Sequence, residues 1–330
     1  MSSDTTTRPV TAAPPAGRRK YRVLSGGDRL WLKFAVGVPA ALHIGLVWIP
    51  SILTAILSFA SWDNLRPIST VEAVGFRNYW QILTIFDINL FPALFNNLVL
   101  IVWLFVCSAG GMFFAYLLDK NIRGSRIYQS VFYLPVVLSS AVVGFIWKSV
   151  MFSKDQGLLN KVIPGASVDY LGDSSKMFEF QLPFMDFSLG LSKNFFAILV
   201  AMAWRHIGYI MILYLAGLKA VDPSLREAAS IDGCTEWQAF RQVVFPALKP
   251  INVVVAVITI IEALRAFDII ATLGTQRGTE VIGTLVVSSL TGEGGGRTGI
   301  GSAYGMLLFL LCIGFIIYYL INNFKNTDAT

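Results

Sequence analysis

The sequence predicts an all-α polytopic membrane protein, six transmembrane helices with a cytoplasmic helix-turn-helix loop, and three observations carry that prediction. Composition is the first: 55% of the 330 residues are hydrophobic, only 14% are charged and mean hydropathy is +0.63, whereas soluble domains carry about 25% charged residues. So much apolar side chain has to face lipid. Second, six apolar segments, 34–60, 94–118, 130–151, 194–218, 251–271 and 303–322, reach the ~20 residues a helix needs to cross a ~30 Å hydrocarbon core. Third, Lys and Arg are unevenly distributed between loops. The N-terminal tail, 119–129, 219–250 and the tail after 322 hold fifteen, while the alternate loops 61–93, 152–193 and 272–302, longer in total, hold eight. The positive-inside rule then puts both termini and the 219–250 loop in the cytoplasm. The net charge of +6 is therefore read as an orientation signal beside membrane lipid, not as a nucleic-acid footprint.

In chain order, residues 1–17 are rich in Thr, Ser, Pro and Ala and lack apolar periodicity, so 1–30 is expected to be a cytoplasmic, disordered basic tail. Arg18, Arg19, Lys20, Arg22, Arg29 and Lys33 lead into 34–60, which is too long for a cleavable signal peptide and reads as a retained first span. Residues 31–330 then form one transmembrane domain. Pro39, Pro50 and Pro135 lie in or near spans, where neighbouring helices satisfy the freed carbonyls. Cys107, Cys234 and Cys312 are scattered and only two histidines occur, so neither a disulfide framework nor a metal site is expected.

The 32-residue loop 219–250 is long for a connection between spans and has helical punctuation of its own. Asp222 is placed to cap a helix with Pro223 at its first position, running through Leu225, Ala228, Ala229 and Ile231 to a left-handed stop at Gly233. Thr235 and Gln238 form a capping box for a second helix, with Trp237, Phe240 and Val244 on one face, expected to end at Pro246.

The stretch EAASIDGCTEWQAFRQVVFPALKP at 227–250 resembles the EAA loop of binding-protein-dependent ABC importer permeases, matching at Glu227, Ala228, Ala229, Asp232, Gly233, Phe240, Pro246 and Pro250. Cys234 stands where that family usually has Ala, and Phe245 where Leu is usual. The resemblance extends from about residue 74 to 311. VGFRNYWQIL, RGSRIYQSVFYLP, IWKSVMFSKDQGLLN and LAGLKAVDPSLREAA, with the pair Phe267 and Asp268, favour the carbohydrate-uptake branch, the maltose and glycerol-3-phosphate type. LGTQRG at 273–278 departs from the family's TxGGP.

The resemblance implies a permease subunit of the bacterial inner membrane, multi-pass, that translocates a sugar, oligosaccharide or polyol. A glycerol phosphate or other small solute is the alternative cargo, and an ion-coupled secondary carrier is the alternative class. Implied partners are two cytoplasmic ATP-binding subunits, a second, homologous permease and an external solute-binding protein. The chain has no GxxxxGK[ST], and the Gly-rich run at 292–299 lacks the Lys. It is accordingly expected to be no enzyme and to bind no cofactor, with ATP and Mg used by the partner ATPase. Coupling to that ATPase falls to Glu227, Ala228, Ala229, Asp232, Gly233, Phe240 and Pro246.

For a substrate pathway the candidates are Asn97, Arg205, Tyr209, Glu262, Arg265 and Asp268. Glu262, Arg265 and Asp268 are three apart, so on one helix they share a face and can neutralise one another, as a structural ladder or as part of the path. Arg205 lies beside Trp204, His206 and Tyr209, a set suited to a sugar or to bonds between helices. Asn96 and Asn97 are either glue between helices or pore lining. The loop 152–193, with Tyr170, Phe178 and Phe180, is either a packing cap or a contact for the solute-binding protein.

Overall fold

The computed structural model describes residues 26–325 apart from 64, 86, 121, 163–167, 182, 184–186, 275–276 and 293–295. Of the disordered tail expected at 1–30, residues 1–25 lie outside the described residues, while 26–30 already belong to the first helix. The chain divides into two compact units, Met1–Ile52 and Leu53–Thr330.

The first unit carries α1 (Gly26–His43), a π-helical turn (Ile44–Trp48) and the start of α2 (Ile49–Leu57). Together they give a span at 30–57 in whose apolar stretch no residue is buried. The π turn has a local cause. Pro50 lacks an N–H and its ring would meet the carbonyl four residues back, so the preceding residue, Ile49, bonds five back to Ile44 O and opens the ladder.

The second unit begins with a short antiparallel pair, β1 (Ala60–Ser61) and β2 (Glu72–Ala73), followed by α3 (Arg77–Thr84) and the long α4 (Asp87–Asp119). α5 (Ser125–Val137) and α6 (Ser140–Ile146), the latter continued by a π turn (Trp147–Met151), meet at a 103° bend. The expected span 130–151 is therefore broken. Leu138 is extended, and Ser139 caps α6 by accepting from Val142 N at 3.3 Å, which restarts the helix in a new direction.

The loop 152–193 holds α7 (Leu158–Val162) and an antiparallel hairpin, β3 (Lys176–Gln181) with β4 (Ser188–Ser192), in which Phe180 faces Leu189. Part of it is packing: Tyr170 lies 5.4 Å from Phe152, and Phe180 lies 5.5 Å from Phe95 of α4, while Phe178 is exposed. α8 (Lys193–Ala220) follows and is the most buried of the long helices. Gly208 lets α5 approach it, because a Cβ there would sit 2.0 Å from Phe132 O.

The hairpin expected at 219–250 consists of α9 (Pro223–Ile231), α10 (Glu236–Ala239), a π turn (Phe240–Val244) and α11 (Phe245–Ala247). Pro246 does not end the second helix as expected from the sequence. Phe245 N–H bonds five back to Phe240 O, the same relief seen before Pro50, and the chain turns by 73° only at Leu248.

α12 (Lys249–Leu264) is shorter than the span expected at 251–271. Arg265 is its C-cap and the helix restarts as α13 (Asp268–Leu273), so Glu262, Arg265 and Asp268 do not form a stripe on one helix. The region 272–302, read as a loop, contains α14 (Ile282–Thr291), which buries Ile282, Thr284 and Leu285. α15 (Thr298–Lys325) closes the fold. Among the described residues four helices are long and apolar enough to cross a membrane, and up to six spans result if each bent pair counts as one.

Three apolar clusters hold the second unit. One joins Leu100 and Leu104 of α4 to Ile198 of α8 and Ile270 of α13. A second packs Phe240, Val244 and Leu248 of the hairpin on Ala115, Leu118, Tyr214 and Leu218. The third joins Leu90 of α4, Leu285 of α14 and Tyr304 of α15.

Candidate functional site: an exposed hairpin and a cavity between helices

The hairpin has a rigid underside and an open tip. Asp222 Oδ1 accepts from Ser224 N at 2.9 Å with Pro223 behind it, and these bonds hold the Asp222 carboxyl below the ordinary carboxylate range. Gly233 turns the chain at φ +80, where nothing lies within 4 Å of a would-be Cβ, so the constraint is conformational and not spatial. Thr235 and Gln238 complete the capping box. Ala229 and Phe240 are buried, Phe240 against Tyr116 at 4.6 Å, with Trp237 stacked on it at 5.6 Å.

Glu227, Ala228, Asp232, Gly233 and Pro246 are all exposed. Neither Glu227 nor Asp232 makes a side-chain hydrogen bond or ion pair with another described residue. The tip also carries Ile231, 86% exposed. Two unengaged carboxylates beside an exposed aliphatic side chain, on a hairpin fixed from below, suit a protein partner better than solvent.

A cavity of about 510 Å³ opens between α8, α12 and the break after α12. Arg205, Tyr209, Glu262, Arg265 and Asp268 line it, so five of the six pathway candidates meet there. The ion pairing differs from the sequence expectation. Glu262 turns to α8, with Oε1 3.0 Å from Arg205 Nη1 and Oε2 2.8 Å from His206 Nδ1. His206, fully buried, continues to Ser108 Oγ at 2.9 Å, and that oxygen lies 3.2 Å from Thr259 Oγ1. Arg265 and Asp268 form no ion pair among the described residues, and their side chains face the opening. A break in α12 thus separates a paired carboxylate from two exposed charges. Cavities of this size with a few convergent polar groups are the usual form of small-molecule sites.

Asn97 is not in the cavity. It is 2% exposed, and its amide donates to Ala263 O at 3.1 Å and accepts from Ile282 N at 3.0 Å. One side chain thereby satisfies the last turn of α12 and the first of α14. Asn96 likewise donates to Gly278 O and Glu280 O. Both are glue between helices. Trp204 stacks edge-on with Trp147 at 5.9 Å and lies outside the cavity lining. Sequence reasoning missed Ser108 and Thr259, whose signal is a hydroxyl in an otherwise apolar span, and gave His206 no partner. No cluster of His, Cys, Asp and Glu able to hold a metal occurs among the described residues.

Comparison with known proteins agrees with this architecture. Residues 107–326 match the family model of the binding-protein-dependent transport system inner membrane component. The xylose/arabinose import permease XacH of Haloferax volcanii is 33% identical, over 70% of this chain and 69% of its own. The trehalose/maltose transport system permease MalF of Thermococcus litoralis is 28% identical, over 84% of this chain and 92% of its own. In fold, the chain resembles a bacterial ABC transporter involved in import of the acidic polysaccharide alginate, with a TM-score of 0.69 at 20% identity, covering 90% of this chain and 96% of that one. With two thirds of its length inside that family model and helices that cross the membrane several times, the chain belongs to the binding-protein-dependent transport system inner membrane components, the permease subunits of ABC importers.

Proposed function

We propose that this permease carries a sugar, oligosaccharide or polyol inward, and that the hairpin at 227–250 is its docking lever on a partner ATPase. The observation that carries the lever is the contrast within one hairpin: Ala229 and Phe240 locked below, Glu227 and Asp232 unengaged at the tip. Closure of an ATPase pair around ATP would move such a body rigidly, because its caps and apolar underside resist bending. Two cytoplasmic ATP-binding subunits, a second, homologous permease and an external solute-binding protein complete the assembly. ATP and Mg belong to the ATPase, and both termini lie on its side of the membrane.

The cargo class rests on relatives named for xylose/arabinose and trehalose/maltose transport, and on the cavity's chemistry. Arg205, Arg265, Glu262 and Asp268 balance in formal charge, which favours a neutral hydroxylated solute over a glycerol phosphate. Arg265, Asp268 and Tyr209 are the groups left to meet it, since Glu262 is engaged by Arg205 and His206.

Gly233→Pro and Glu227→Lys test the lever in the assembled importer. Both variants are expected to insert normally and to lose ATPase association or uptake. Unchanged uptake in both would contradict the assignment.

A further inference from the structure

The hairpin is joined by the chain to α8 and α12, yet its ion pairs go to the end of a third helix, α4. Arg226 of α9 reaches Asp119 at the cytoplasmic end of α4, Nη1 to Oδ2 at 2.6 Å, and its Nη2 donates to Leu218 O at 3.4 Å. The next residue, Lys120, pairs with Glu236 at the start of α10, its ammonium 4.6 Å from the centre of the Tyr116 ring. Hydrogen bonding to Glu236 and to Tyr116 holds Lys120 above its ordinary pKa, so the contact stays charged at neutral pH. Adjacent residues of opposite sign on α4 thus hold two helices on either side of Gly233. Rotating or sliding the hairpin by one position would bring like charges together.

The far part of α4 is tied to the membrane cavity. Ser108, about three turns from Asp119, meets His206, which holds Glu262 of the cavity wall. Asn97, further along α4, fastens the end of α12 where the chain breaks.

We propose that Asp119 and Lys120 are positioning residues for energy coupling: through Arg226 and Glu236 they make α4 a second strut that carries hairpin movement to the cavity. This rests on the reading of the hairpin as the ATPase lever. The pairs are partly exposed, Asp119 alone being nearly buried at 10% of its side chain. Such pairs add little to stability, so their loss is expected to disturb transmission and not folding.

The test uses the full importer with Cys107, Cys234 and Cys312 replaced by Ala and a single reporter, Tyr209→Cys, in the cavity. A maleimide measures how trapping with ATP and vanadate changes reporter labelling. Asp119→Arg and Arg226→Asp are each expected to retain the ATPase on purification yet reduce the nucleotide-dependent change in labelling rate about tenfold. The double exchange is expected to restore it. Asp119→Asn, which removes the pair without reversing a charge, should give the same loss if Asp119→Arg folds poorly.

A full nucleotide response in the single variants overturns the proposal, as does a double exchange that retains the ATPase but stays unresponsive. Glu227→Lys separates the two readings. If it too retains both ATPase and response, the lever assignment itself is wrong; if it alone loses them, only the strut is.

Discussion

Glu262 decides most at the residue scale. Its spacing from Arg265 and Asp268 suggested a ladder on one helix, but its partners are Arg205 and His206, more than fifty positions earlier in the chain. Charged residues in the interior of a helix bundle seek whichever partner desolvates them least, and that partner is set by packing, which spacing along one helix does not report. His206 is the central member, with one ring nitrogen on Glu262 and the other on Ser108. His206→Ala therefore leaves a carboxylate oxygen and a buried hydroxyl without their partner and is expected to lower stability by about 1–3 kcal/mol. Thermal unfolding in detergent measures this; a melting temperature equal to that of the parent would mean the bonds are dispensable. By contrast, Asp222, Gly233, Thr235 and Gln238 were legible residue by residue, because caps and left-handed turns depend on neighbours within four positions.

Elements were legible where apolar length decides and illegible where tertiary bonds do. The spans at 94–118, 194–218 and 303–322 correspond to the cores of α4, α8 and α15. The break after Leu264 has no proline or glycine to announce it, and the side chain that bonds the last turn of α12 comes from Asn97 on α4. Helix α14 escaped for a similar reason, since it packs on α4 and α15, whereas the bend after Val137 turns on the local Ser139 cap. Proline was read too simply as a terminator: before Pro50 and Pro246 the helix widens by one residue and continues. Gly208 offers a test at this scale. Gly208→Val would push a side chain into the space of Phe132 O and is expected to cost about 1–3 kcal/mol through overpacking. The expected sign is faster proteolysis at the separated α5–α8 contact, and an unaltered protease pattern would contradict close approach as the reason for glycine there.

For the whole molecule, composition and charge asymmetry pointed to a multi-pass membrane protein and to a side for each loop, and the family match agrees with the first of these. Which solute passes is not written in the spans, because the cavity presents a balanced set of charges and its remaining contacts are common to many hydroxylated solutes. The central claim is that the hairpin tip faces a cytoplasmic ATPase. A photo-crosslinking amino acid in place of Ile231, in cells that carry the whole importer, tests it most directly. The account predicts an adduct with the ATP-binding subunit, identified by mass spectrometry and absent when the same group replaces Leu46 in the exposed first span. An adduct with an external protein, or none with the ATPase from a correctly inserted permease, would contradict it.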